Sequence, residues 1–243
     1  MTEELFREDA TLLECAATVI AADERGVQLD RTVFYPLGGG QAGDTGVLRL
    51  ADGREIAVAD TRKAPATESA PAGVLHVLAD PAAAALLAPG TPVTARIDAA
   101  RRQAHRRFHT ATHLLCALVP HPVDGCSITA GYARLDFHMT EPLDKETLSA
   151  GIARLVAGAH PVRHRWISEA ELDANPQLVR SMSVQPPRGL GRIRVLEIEG
   201  VDLQPCGGTH VANTAEVGAV VVTKIEKKSA STRRVVLGFA APE

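Results

Sequence analysis

With 243 residues, 45% of them hydrophobic, the chain can build one large or two small domains; only 3% are aromatic, so the core must come from Val, Leu, Ile and Ala. No apolar run reaches 18 residues and the start, residues 1–9, is acidic, which excludes a membrane-spanning helix and a basic signal region and sets the expectation of a cytoplasmic protein. The net charge of −3 is uneven: residues 1–100 carry eight Lys+Arg against fifteen Asp+Glu, a balance of −7, and residues 101–243 carry eighteen against fourteen, a balance of +4, so a polyanion is drawn, modestly, to the second half.

In chain order, residues 11–23 and 26–36 are rich in Val, Thr, Ile and Phe, with Arg25-Gly26 between them, and predict two strands. Gly38, Gly39, Gly40 and Gln41 follow. Three consecutive glycines give backbone freedom and close approach, and no Gly-Lys-Ser/Thr follows to make a phosphate loop. Residues 47–60 predict a hairpin around Asp52-Gly53. Residues 63–90 are rich in Ala and Pro, broken by a strand-like run at 74–78, and residues 91–98 predict another strand. Many short strands with turn signals predict a small β-barrel over residues 1–98. After Asp98 the pattern changes. A helix is predicted over 99–119, strands at 126–130 and 132–139, and a helix capped by Asp144 and running to Ala159. A strand at 162–167, a short helix at 168–174, a strand at 192–200 and an antiparallel pair at 217–228 and 231–239 complete the second domain, 99–243. The fold class is α+β, with one long helix on a mostly antiparallel sheet.

The long helix carries the chemistry. His109 and His113 are i and i+4, so both imidazoles leave one face a turn apart. A second set of ligand types stands in Cys206-Gly207-Gly208-Thr209-His210, and thiolate with imidazole suits zinc. Alone, either half reads equally as solvated histidines or a glycine turn. His105, among Arg102, Arg106 and Arg107, reads as solvated or RNA-facing, and Cys116, inside an apolar run, as a small core residue. The four cysteines, Cys15, Cys116, Cys126 and Cys206, show no paired framework, so metal or core roles are expected over disulfides.

His109-Thr110-Ala111-Thr112-His113 and Cys206-Gly207-Gly208-Thr209-His210-Val211 resemble the paired metal motifs of the alanyl-tRNA synthetase editing domain, whose free-standing relatives form the AlaX family. The likeness extends to residues 34–41 with Asp44 and Gly46, to residues 187–192, and to Arg233-Arg234-Val235. It implies an N-terminal β-barrel and a catalytic α+β domain shared with threonyl-tRNA synthetases. It also implies a translation-fidelity activity, hydrolysis in trans of the ester joining serine or glycine to alanine tRNA, with zinc as cofactor and neither DNA nor a membrane as partner. The length leaves no room for an adenylate-forming domain. One departure stands out: no Gln is present around residues 123–127, where some synthetase editing domains carry one beside the pocket.

On this resemblance His109, His113, Cys206 and His210 hold the zinc, and Gly38, Gly39, Gly40 and Gln41 take part in amino-acid recognition. Thr110 and Thr112 lie beside the ligands as candidate substrate contacts, although a helical Thr more often bonds its own backbone. Asp136 and Asp202 are candidates to orient a ligand imidazole. Arg106, Arg107, Lys227, Lys228, Arg233 and Arg234 are candidates for tRNA phosphates. Zinc lowers the pKa of its bound water towards about 7 and polarises a carbonyl. Four protein ligands, however, are the mark of a closed structural site. A zinc-stabilised tRNA-binding module without catalysis and a zinc hydrolase of another ester are therefore the competing readings.

Overall fold

Period-two alternation in the first hundred residues produces strands with one face to a common core. In the computed structural model, which describes residues 2–66, 71–182, 185–186, 188–189 and 191–240, the chain forms two compact units, residues 1–38 with 42–103 and residues 39–41 with 104–243. In the first, β1 (Glu3–Glu4) pairs in parallel with β4 (Arg31–Thr32). Strands β2 (Glu14–Asp23), β3 (Gly26–Leu29), β5 (Gly46–Leu50), β6 (Glu55–Ala64), β7 (Gly73–Leu78) and β8 (Pro92–Ile97) close into an antiparallel barrel in the order β2-β3-β7-β6-β5-β8. The predicted barrel and the hairpin around Asp52-Gly53 are both present. Val93, Ala95 and Ile97 alternate inward from β8 to meet Leu48, Ile56 and Val58, while the intervening residues point out.

Two polar devices lie inside this unit. Arg102 is buried and paired with buried Asp44, and it donates also to the Val33 carbonyl; Asp44 accepts from Tyr35 N–H at 2.7 Å. His76 on β7 is fully buried. Its Nδ1 lies 3.0 Å from the Val27 carbonyl and its Nε2 2.8 Å from Thr32 Oγ1. A carbonyl cannot donate, so Nδ1 carries the proton and Thr32 donates to Nε2.

The long helix α1 (Ala99–Leu118) starts at Asp98, whose carboxylate accepts from the Arg101 N–H at 3.0 Å. The second unit continues with β9 (Val123–Ile128), β10 (Ala133–His138), α2 (Lys145–Ala157), β11 (Val162–Ser168), α3 (Glu169–Asp173), β12 (Arg192–Ile198), β13 (Asp202–Pro205), β14 (Val220–Ser229) and β15 (Thr232–Phe239). Asp144 caps α2 through Thr147 N–H at 2.7 Å, and the helix ends two residues short of the predicted Ala159. The strands form two antiparallel sheets where one was expected, β14-β15-β10-β9 and β11-β12-β13. In this unit the short β13 is a strand the sequence did not announce, because Asp202 and Gln204 put polar side chains where apolar ones signal a strand.

Phe108, Ala111, Leu114 and Leu115 of α1 share a core with Ile128, Leu135, Phe137, Val222, Val235 and Leu237. Every residue from Phe108 to Cys116 is buried, so α1 is not an amphipathic surface helix. Its non-apolar side is covered as well, and the histidines lie there. Among the described residues no helix is long and apolar enough to cross a membrane.

Candidate metal centre

The helical spacing of His109 and His113 and the turn after β13 converge. One ligand atom from each of His109, His113, Cys206 and His210 lies within 4.8 Å of all the others. Cys206 Sγ is 3.5 Å from His109 Nε2 and 3.2 Å from His210 Nε2. Zinc bonds of about 2.0–2.3 Å in a tetrahedron separate N and S ligands by roughly 3.5 Å, so these spacings suit that ion. The three imidazoles are buried, and Cys206 alone of the four residues is only partly buried. Gly208 makes the turn possible: a Cβ there would stand 2.1 Å from His109 Cε1, so only glycine lets that ring lie against the backbone.

What surrounds the imidazoles decides how they are aimed. His109 Nδ1 lies 2.7 Å from Gln41 Oε1, and His113 Nδ1 lies 2.8 Å from Asp202 Oδ2. His210 Nδ1 lies 3.2 Å from Thr110 Oγ1, which donates its own proton to the Arg106 carbonyl at 3.0 Å and so accepts from the ring. In all three the outer nitrogen donates and Nε2 turns to the common centre. Outer partners of this kind fix the tautomer and orientation of metal-ligating histidines. Asp202 is held in turn by Gln204 Nε2 at 2.9 Å. Gln41 is fully buried, and its Nε2 donates to Thr209 Oγ1 at 2.9 Å. Arg194 Nη1 donates to the Cys206 and Gly208 carbonyls at 2.9 and 3.2 Å, fixing the turn that carries the sulfur.

The electrostatics suit a cation. Burial pushes the Cys206 thiol up, but the imidazoles of His109 and His210 overcome this and hold it well below the usual thiol range, in the thiolate form that binds metal. Burial pushes His113 down, and Asp202 with Cys206 reverses that to about 10. Burial and the neighbouring His109 hold His210 well below its ordinary value. Thiolate and Nε2 lone pairs are the donors a soft divalent ion takes, so this residue set fits zinc.

Not every residue read from the sequence arrives here. Gly40 and Gln41 do: the Gly40 carbonyl accepts from Ile128 N–H at 2.8 Å, and Gln41 bridges Ile128 in parallel. What approaches Gly40 is Cys126, whose Sγ would be 2.8 Å from a Cβ, at φ +84°. Gly38 belongs to the first unit, where its carbonyl accepts from Tyr35 Oη at 2.8 Å, and Gly39 is exposed. Thr112 Oγ1 donates to the His109 carbonyl at 2.7 Å. Asp202 takes the orienting role and Asp136 does not, being bound bidentately by Arg234 at 2.7 and 2.8 Å and by Arg134.

Several solvent-facing expectations are corrected. His105 is fully buried, as is Arg102, because both lie on the inward side of α1, while Arg101, Gln103 and Arg107 are only partly buried. Arg106 is buried, with Nε donating to the His210 carbonyl at 2.8 Å; Arg107 donates to the Val217 carbonyl and stacks on Phe239. Arg106 serves the second unit's interior, and Arg107 is partly buried against Phe239. Arg234 is matched by Asp136, and Arg233 donates to the Thr140 carbonyl. Lys227 and Lys228 are exposed, and Cys116 lies in the core. Pro187 and Leu190 of the resembling stretch 187–192 lie outside the described residues. The sequence reading missed Gln204, Thr209 and Arg194. A signal was available for Arg194 alone, which alternates with Arg192 on one face of the strand predicted at 192–200.

Comparison with known proteins places the whole chain among tRNA synthetase and editing proteins. Residues 193–236 match the threonyl and alanyl tRNA synthetase second additional domain, and residues 7–101 match the class II (A) tRNA synthetases. The alanyl-tRNA editing protein AlaX-M of Methanosarcina barkeri is 35% identical, over 96% of this chain and 97% of its own. The chain belongs to the AlaX-M family. The AlaX-M protein of Saccharolobus solfataricus is 32% identical over 97% of this chain and 98% of its own. The alanine–tRNA ligase of Pyrococcus furiosus matches all of this chain at 33% identity with 26% of its own length. The AlaX-M likeness therefore runs through both units.

Proposed function

We propose that this chain is an aminoacyl-tRNA deacylase that edits mischarged alanine tRNA in trans, in the cytoplasm. We further propose that it takes the seryl ester in preference to the alanyl, accepts the glycyl ester, and works at a zinc ion held by His109, His113, Cys206 and His210. One observation carries the reading: three imidazoles with outer nitrogens committed to Gln41, Asp202 and Thr110 aim Nε2 at one thiolate, in a chain whose relatives are named alanyl-tRNA editing proteins. The bound zinc supplies Lewis-acid polarisation of the ester carbonyl.

The chain's own groups do the rest. Gln41, Asp202 and Thr110 hold the imidazoles so that none reorients during the reaction. Arg194 holds the carbonyls of Cys206 and Gly208, fixing the turn that presents the sulfur to the imidazoles. Distinguishing serine from alanine requires polar partners that a hydroxyl satisfies and a methyl leaves unpaired. Thr110 has no capacity left, since its oxygen donates to Arg106 and accepts from His210 and from Val211 N–H. Among the described residues Thr112 donates to the His109 carbonyl and keeps its acceptor lone pairs, so we assign it the serine hydroxyl, with Gly40 and Gln41 kept as candidates for amino-acid recognition. Among the cationic candidates, exposed Lys227 and Lys228, with Arg233, are left for tRNA phosphates.

The test is ester loss from seryl-, glycyl- and alanyl-tRNA of the alanine isoacceptor, before and after metal removal. Seryl release much faster than alanyl and abolished by chelation is the expected result. Equal rates on both esters overturn the editing assignment. The four-ligand count and burial of the three imidazoles favour a second reading, a zinc-stabilised tRNA-binding module; tight tRNA binding with no deacylation of any ester would establish that one.

A further inference from the structure

Three adjacent strands set one row of residues across a sheet face. Trp166 of β11 faces Arg194 of β12, and Cys206, directly after β13, donates its N–H to the Arg194 carbonyl at 3.1 Å. Residues facing one another in a ladder project to the same side, so Trp166 and Arg194 share a face. Two strand spacings put the Trp166 backbone roughly 10 Å from that of Cys206. Arg192, two residues before Arg194, belongs to the same face, and its guanidinium sits 4.3 Å from the Trp166 ring centroid.

This face runs from the core to solvent. Its inner rows hold Ile198, Leu196 and Asp202, all buried, while Trp166 is 36% exposed and Cys206 partly buried. Trp166 therefore stands at the exposed end of the row that leads through Arg194 to the partly buried Cys206. Charge separates this face from the opposite one. There Arg163 and Arg165 lie 3.7 and 3.6 Å from Glu199 and Glu197. On the Trp166 side, among the described residues of the three strands, the one carboxylate is Asp202, and it is committed to His113 and Gln204. An exposed aromatic ring beside a guanidinium, on a strand face whose one carboxylate is already committed, suits a π-faced polyanion.

We propose that Trp166, backed by Arg192, is a stacking platform for a nucleobase of the single-stranded 3′ end of the RNA whose ester is delivered to the cluster. The inference rests on the reading of the cluster as an aminoacyl-ester site. An indole face accepts any base, and the neighbouring guanidinium holds the ring and attracts the adjoining phosphate. The platform binds one of the last nucleotides while the ester reaches past Arg194 towards the cluster.

Trp166 is the chain's one tryptophan, so its fluorescence reports on the platform directly. The full chain is titrated with a short single-stranded RNA ending in CCA, with the same RNA made abasic at its last three positions, and with heparin. Strong quenching by the first and little by the other two is expected; equal quenching by all three, or none, overturns the proposal. Deacylation of seryl-tRNA is then measured for Trp166→Phe and Trp166→Ala. We expect KM near wild type for Phe and raised about tenfold for Ala, with kcat within twofold for both. An unchanged KM in Trp166→Ala overturns the platform. A wild-type chain that deacylates nothing overturns the proposed function instead, and the quenching comparison still decides whether Trp166 meets a base.

Discussion

His76 in the barrel and the histidines of the second unit are equally buried but are finished differently. His76 has a protein partner on each nitrogen, the Val27 carbonyl on Nδ1 and the Thr32 hydroxyl on Nε2. His109, His113 and His210 each have a partner on Nδ1 and turn Nε2 to one another and to Cys206. A buried polar group must be hydrogen-bonded, and His76 meets that requirement with neutral groups alone. The cluster meets it through a thiolate and lone pairs that a cation satisfies better. The lesson is that a buried histidine is read by its inner nitrogen: filled by the fold it is structural, and left to other ligand atoms it is a binding site.

The largest effect breaks the cluster. Cys206→Ala removes the anionic member and leaves three imidazoles facing one another. We expect zinc to fall from about one per chain to near none, and seryl-tRNA deacylation to fall by at least about a hundredfold. Cys116→Ala, in the core, should keep its zinc. Metal analysis giving full zinc in Cys206→Ala would remove that residue from the ligand set.

The next effect belongs to the barrel and to pH. Burial lowers His76 to about 4 from 6.5, although the Val27 carbonyl opposes it. The folded state therefore resists a proton that the unfolded chain accepts, and the stability from neutral His76 is fully present above pH 6.5 and lost as pH falls towards 4. Two and a half units correspond to about 3 kcal/mol. Urea unfolding of the wild type and His76→Gln across pH 7 to 4 checks this. The difference between the two should shrink with acid; a constant difference means that His76 is not held neutral.

How far this contrast was legible in the sequence depended on the kind of signal. His109 and His113 were found because the helical period is local, and Cys206 with His210 because the glycines between them mark a turn. The barrel was legible because one-sided strands alternate. The protein partners of Gly40 and Gln41 were not legible, since a glycine-rich stretch advertises close approach but not what approaches; here it is Cys126 and an imidazole. The arginines of α1 failed for a related reason: charge spacing shows a polar stripe, and only the tertiary fold shows that the stripe is covered. Asp202 was one of two carboxylates offered, and the choice depended on the β13 register. Asp202→Asn tests that choice. The amide keeps the shape and loses the charge that orients His113, so zinc affinity measured by chelator competition should fall about ten- to a hundredfold. Asp136→Asn, which disturbs Arg234 and not an imidazole, should leave zinc affinity within twofold.

The smallest expected effect is the sharpest, because it separates two residues the sequence presented as equals. Thr110 and Thr112 are two positions apart on α1, and both hydroxyls donate to a carbonyl of their own helix. Thr110 also accepts from His210 Nδ1, so Thr110→Val leaves that nitrogen without its partner while nearly preserving side-chain shape. The loss of one neutral hydrogen bond is worth about 1 kcal/mol, so zinc affinity should fall about fivefold. Thr112→Val touches no imidazole nitrogen and should leave zinc affinity unchanged. If its lone pairs meet the serine hydroxyl, the same substitution should reduce the ratio of seryl to alanyl release by about three- to tenfold, by removing a polar partner that alanine never used. Zinc affinity and the seryl-to-alanyl ratio, measured on both variants, therefore form a crossed test. Thr110→Val should move the first much more than the second, and Thr112→Val only the second. Both variants moving both quantities alike would mean that α1 tolerates neither change locally, and the distinction between completing a ligand and facing a substrate would fall with it.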